Sequence, residues 1–236
     1  MQLSLFQTKP PVVKPLPAPF SEKVKSVLGP RLPPAAVEYV VRQIAENPVS
    51  LKVVSERTSK SGDFRPSHGS QPSRITVNGN LNPYAFLITL VHELAHYYVY
   101  RSKHVLTPLF GKGRKRYTPH GREWKETFRS LMWEYQTVDV FPADVLDALF
   151  DYMQNPTAST FANQRLMREL AKYDEPSGLV TVESLPDNAL FQTTTGRRFR
   201  KIGKKRTRYL CYCLDNRRQY LFSPIVQVIP EETGGR

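Results

Sequence analysis

An α+β protein is the fold this sequence predicts, and three observations predict it. Apolar runs at helical spacing, two of them opened by a cap-plus-proline signal, mark helices between residues 34 and 173. Two short β-branched runs lie among the first of these helices, and beyond residue 188 the pattern turns to short strands alone. The expected organisation is a Pro-rich tail over 1–20, a helical domain with a small sheet over 21–173 and a linker over 174–188. A small basic all-β module over 189–230 and a short tail over 231–236 follow.

Taken in order, Pro10, Pro11, Pro15, Pro17 and Pro19 favour extended backbone and exclude a helix from the first tail. Ala36, Val37, Val40, Val41 and Ile44 recur at helical spacing over 34–46, and Pro48 ends that helix. Residues 49–54 and 74–78 read as strands, joined through a loop or hairpin rich in glycine and proline. Asn82 caps and Pro83 opens a helix running to about residue 101. Thr118-Pro119 repeats the signal for a helix through about residue 137, and further helices fit 142–153 and 163–173. Segment 174–188, with Pro176, Gly178 and Pro186, reads as linker. Strands then fit 198–202, 207–214, 219–223 and 225–229, with Asp215-Asn216 as a tight turn, in a small barrel or meander. On the predicted second long helix, Trp124, Phe128 and Leu131 follow an apolar face, and Trp133 and Tyr135 are expected in the core.

The 236 residues carry a net charge of +13, which favours polyanionic partners. A membrane span is not expected, because the longest apolar run, over 85–91, stops at His92. No secretory signal is visible, and Cys211 and Cys213 stand too close in sequence for a mutual disulfide. The expected location is therefore cytoplasmic, beside the nucleoid.

The chemistry centres on Val91-His92-Glu93-Leu94-Ala95-His96. Histidines four residues apart share one helix face, about 6 Å apart along the axis, so both rings reach one ion. Glu93, beside the first ligand, is placed to take a proton from a water in an open coordination position. Zinc is the expected ion, and a catalytic site needs a third protein ligand. His104 lies about 12 Å farther along the helix and is too distant. His120, in the first turn of the next helix, is the leading candidate, with Glu123 or Glu126 as the alternatives.

At this point the residues resemble a known family. Ile75-Thr76-Val77-Asn78, then Thr89 through His96, then His120-Gly121-Arg122-Glu123-Trp124-Lys125 are similar to the SprT-like zinc metalloproteases, the Spartan-related group. The resemblance covers about residues 34–140. It implies a zincin-like domain, one zinc ion held by His92, His96 and His120, and Glu93 as the catalytic acid/base. It also implies that strand 74–78 is an edge strand along which a peptide lies, and that substrates are DNA-associated or DNA-crosslinked proteins. Many members end in a four-cysteine zinc ribbon; Cys211 and Cys213 supply half of one, and read as two incidental thiols.

Two further segments suggest partners. Arg197, Arg198, Arg200, Lys201, Lys204, Lys205, Arg206 and Arg208 fall within twelve residues, with Phe199, Tyr209 and Tyr212 interleaved or adjacent. Cations neutralise phosphates and rings stack on bases, so single-stranded DNA bound without sequence specificity is expected. The basic loop with Lys112, Arg114, Lys115 and Arg116 would extend that track. At the N-terminus, Gln2, Leu3, Leu5 and Phe6 resemble the short peptide by which bacterial replication proteins dock on the sliding clamp. The expected function is a zinc metallopeptidase; the rival is a non-catalytic DNA-binding or clamp-associated adaptor with a structural zinc.

Overall fold

The structure is a computed structural model, and it describes residues 18–47, 49–57, 60–105, 118–158 and 163–231. It is α+β. The first part of the chain forms α1 (Ala18–Leu28), α2 (Val37–Ala45), β1 (Ser50–Val54), β2 (Gly62–Arg65), β3 (Arg74–Asn78) and α3 (Pro83–Val105). Next come α4 (Arg122–Trp133), α5 (Ala143–Gln154) and α6 (Gln164–Ala171). The remainder is β4 (Val180–Thr181), β5 (Leu190–Gln192), β6 (Arg198–Lys205), β7 (Arg208–Cys213), β8 (Gln219–Phe222) and β9 (Gln227–Pro230). Among the described residues no helix is long and apolar enough to cross a membrane.

The buried helix α3 organises the first core. Asn82 Oδ1 accepts from the backbone N–H groups of Tyr84 and Ala85, satisfying donors that the helix start leaves orphaned. Its amide group in turn donates to the Leu170 carbonyl and to Asp174, tying the head of α3 to the end of α6. From Phe86 to Ala95 the apolar residues of α3 are fully buried, against Ile75 and Val77 of β3 on one side and Trp124 and Phe128 of α4 on another. An apolar helix of this kind belongs inside a protein, and its few polar residues are the ones that need explaining.

The first sheet has the order β1-β3-β2, with β1 parallel and β2 antiparallel to β3. Strand β3 is therefore central, which corrects the expected edge strand. It is hydrogen-bonded on both sides, and Ile75, Thr76, Val77 and Asn78 are all buried. Strands β1 and β2 are the edges, and the Gly62-Asp63-Phe64-Arg65 of β2 shows no apolar alternation and reads in the sequence only as loop or hairpin.

Three other boundaries differ. The N-terminal tail stops short of residue 20, because α1 starts at Ala18 with Pro19 in its first turn, where the missing N–H removes nothing. The expected 174–188 linker contains β4, which pairs with β9, and buries Val182 and Leu185. The buried stripe of α4 is Trp124, Phe128 and Met132, at four-residue steps, so Trp133 points away and is 70% exposed, against expectation. Tyr135, past the helix end, is buried as expected.

The second sheet is antiparallel throughout, in the order β4-β9-β5-β6-β7-β8, with β6, β7 and β8 forming the expected meander. One face closes over Phe191, Phe199, Cys211, Cys213, Val182 and Val228. Both cysteines are free thiols buried in this core.

Candidate metal centre and cleft

Three imidazoles converge from two places in the chain. His92 and His96 lie on the same face of α3, one turn apart, and both are buried. His120 comes from the Thr118–Gly121 turn just before α4, not from the helix itself, which begins at Arg122. The Gly121 N–H donates to the Thr118 carbonyl at 3.0 Å and His120 has φ of 58°, a left-handed conformation uncommon for histidine. That conformation, with a strain of about 1–2 kcal/mol, turns the ring back toward α3.

The Nε2 atom of His120 stands 2.9 Å from Nε2 of His96 and 3.3 Å from Nε2 of His92. A tetrahedral ion bonded at 2.0–2.1 Å separates its ligand atoms by about 3.3 Å. Among the described residues this is the group of histidine, cysteine and acidic side chains placed to share an ion. Glu123 and Glu126, the alternative third ligands, face elsewhere: Glu123 pairs with Lys103, and Glu126 with Arg122 at 3.7 Å.

The electrostatics keep the three rings uncharged. Burial, with the neighbouring imidazoles adding, pushes His92 and His96 down to about 3, and burial lowers His120 as well. All three rings are therefore neutral at physiological pH, the form that binds a metal. Glu93 is buried beside them, and its carboxyl is pushed up to about 8, chiefly by burial with the Asp63 charge adding. The Phe64 backbone N–H opposes this by bonding to the carboxylate. A dication next to Glu93 favours the charged form and would bring the value back down.

Two structural parts of the site were not legible in advance. Trp124, expected as core alone, forms the wall behind all three rings, 4.6 Å from His92, 5.3 Å from His96 and 4.7 Å from His120 between centroids. Gly62 of β2 abuts Glu93: a Cβ there would lie 2.7 Å from Glu93 Oε1 and 2.7 Å from Thr89 Cγ2. A glycine in a strand is a sign of such close approach, but the segment reads in the sequence as loop, so the sign could not be used. Of the α3 residues Tyr97, Tyr98 and Tyr100, Tyr100 lines the cleft, while Tyr97 is buried and Tyr98 hydrogen-bonds Asn47.

The cationic run divides. Arg198 makes a bidentate pair with Glu231 at 2.7 Å, and Arg197 lies over the rings of Phe199 and Tyr220 while donating to the Tyr220 hydroxyl at 3.1 Å. Lys201 is 3% exposed; its ammonium group donates to the Leu185 carbonyl and sits 4.1 Å from the Tyr209 ring centroid. Lys201 serves the fold, Arg197 is half-buried against the rings, and Arg198 is exposed with its charge already paired. Arg200, Lys204, Lys205, Arg206 and Arg208 are exposed. Phe199 is in the core and Tyr209 covers Lys201, so neither offers a free face; Tyr212, paired with Arg200 across the outer face, is half-buried. Arg217 and Arg218, also exposed, stand at the β7–β8 turn, at the other end of β7 from the β6–β7 turn that carries Lys205, Arg206 and Arg208. The peptide Gln2, Leu3, Leu5 and Phe6 and the loop residues Lys112, Arg114, Lys115 and Arg116 lie outside the described residues.

Comparison of the chain with protein-family models, with curated proteins and with solved structures found no match.

Proposed function

We propose that this chain is a zinc-dependent metallopeptidase with a zincin-like catalytic region, as the SprT-like resemblance implies. The reading is carried by one observation: three neutral imidazoles with nitrogens 2.9 and 3.3 Å apart, beside a buried glutamate that is not among them. When bound there, zinc would polarise a carbonyl and acidify a water. Three protein ligands leave room for such chemistry, whereas structural zinc sites close with four.

The chain's own residues do the rest. Glu93 takes the proton from the attacking water and hands it to the leaving amine. Gly62 and Phe64 bring the β2 backbone to the carboxylate, and the Phe64 N–H orients it. The free edge of β2 offers main-chain groups to an extended polypeptide, a common mode of peptide capture. The site thus suits an unfolded or flexible segment of a protein. The exposed cations Arg200, Lys204, Lys205, Arg206 and Arg208 suit single-stranded nucleic acid without base readout, which would hold the enzyme near DNA-associated substrates. Docking of Leu5 and Phe6 on a sliding clamp would serve the same end.

The test is zinc content and proteolysis of an unfolded protein and of a DNA-crosslinked one, with wild type and Glu93→Gln. Equal zinc in both with cleavage by wild type alone is expected. Equal inertness with DNA present would leave the adaptor reading.

A further inference from the structure

Two cavities meet at the candidate centre, and they differ in chemistry. The larger, about 1010 Å³, runs from His92 and Glu93 past Asn78 toward Ile225 of the β8–β9 turn and carries the carboxylates Glu56, Asp174 and Glu175. The smaller, about 520 Å³, lies on the other side, against His96 and His120, between β2 and the end of α3. Its volume falls in the range of pockets that enclose small ligands, about 300–1,000 Å³.

The walls of the smaller arm are Phe64, Pro66, Tyr100, Pro119 and Ala158. Its polar groups other than Glu93 and the three imidazoles are already engaged. Asp63 is paired with Lys60 at 2.7 Å and Arg65 at 2.9 Å, and the Tyr100 hydroxyl meets Ser67 Oγ at 3.1 Å. The Tyr100 ring packs on Phe64 with centroids 5.8 Å apart, and Phe64 packs edge-on against buried Tyr97 at 6.2 Å. Among the described residues a charged group entering this arm would shed water and meet no unengaged partner beyond the site itself, whereas an apolar one gains by leaving water.

We infer that this arm is a specificity pocket that takes a large apolar side chain directly flanking the bond to be cut. Because His92, His96 and His120 form part of the same cavity, its occupant stands within one residue of a carbonyl held at the ion. Tyr100 and Phe64 set its depth; Ala158, exposed at its rim, sets its width. Steps of a methylene in such pockets are worth about 10–200-fold in discrimination. The inference rests on the metallopeptidase reading above.

The experiment digests a reduced, alkylated, unfolded protein of known sequence with the zinc-loaded full-length chain and reads the fragment ends by mass spectrometry. Wild type should cut so that a leucine, methionine or aromatic residue recurs at one fixed position next to the cleaved bond. Tyr100→Phe should keep that preference, and Tyr100→Ala should weaken it by about tenfold or more. Ala158→Leu, at an exposed position where folding is not at risk, should shift the preference toward smaller residues. Cleavage with no shared residue on either side, or an unchanged preference in both Tyr100→Ala and Ala158→Leu, would overturn this inference alone. A chain that holds zinc and cuts nothing would overturn the peptidase reading and this inference with it.

Discussion

Replacing Gly62 by alanine should disable the general base while leaving the metal ligands in place. The new methyl would stand 2.7 Å from Glu93 Oε1, 2.7 Å from Thr89 Cγ2 and 2.8 Å from Glu93 Cγ, closer than carbon atoms ordinarily approach. Either the carboxylate swings away or β2 lifts from α3. Overpacking of this sort costs about 1–3 kcal/mol, and for a chain of this size each kcal/mol lowers Tm by roughly 2–4 °C. The catalytic effect should be larger, since a misplacement of about 1 Å costs on the order of 100-fold in rate. The three atoms nearest the methyl belong to Glu93 and Thr89 and not to an imidazole, so zinc content should stay at the wild-type level. Hydrolysis of labelled casein and metal analysis on the same preparation decide the matter: kcat about 100-fold down, KM little changed, zinc unchanged. Wild-type activity in Gly62→Ala, or activity that falls only in proportion to zinc, would refute the reasoning.

Other outcomes follow from the same structure. Without metal, His92 and His96 sit at about 3 in the fold against 6.5 for an ordinary imidazole, so the unfolded chain binds protons that the fold refuses. Their contribution is complete above pH 6.5 and is lost as pH falls toward 3; at pH 5 the loss is about 1–2 kcal/mol per ring. In a Glu93→Gln background, which removes the opposing gain from the raised Glu93 carboxyl as pH falls, Tm of the apoprotein should drop between pH 7 and 5, and adding His92→Ala and His96→Ala should flatten the profile; equal slopes would contradict this. Lys201→Ala should destabilise the second sheet by about 1–3 kcal/mol in denaturant melts, because the Leu185 carbonyl loses its donor, yet leave affinity for single-stranded DNA unchanged. Arg206→Ala and Arg208→Ala should do the reverse, leaving stability unchanged and reducing the slope of log affinity against log salt by about 0.7 for each phosphate no longer neutralised. A slope that ignores both arginines would remove the exposed cations from the nucleic-acid interface.

Local signals made much of this legible. Asn82-Pro83 announces α3, whose apolar residues leave His92, Glu93 and His96 as the conspicuous polar group, and all three are found together in the site. What the sequence hid depends on partners distant in the chain. Strand β2 has no alternation of its own and exists because β3 pairs with it and α3 packs beneath it. Two residues suffice for β4 only because β9, nearly fifty positions later, supplies the hydrogen bonds. A count of cations could not separate Arg198, its charge paired with Glu231, or Lys201, buried against Leu185, from the exposed cations Arg200, Lys204, Lys205, Arg206 and Arg208. The expectation that His120 starts a helix failed for a related reason: its ring is aimed by a left-handed turn, which propensity does not foresee in a non-glycine residue.

X-ray absorption at the zinc edge of the purified protein addresses the central claim most directly. The account predicts one zinc per chain with three imidazole nitrogens at about 2.0–2.1 Å and a lighter oxygen ligand, falling to two imidazoles in His120→Ala. Sulfur at about 2.3 Å, or a spectrum unaltered by that substitution, would contradict it.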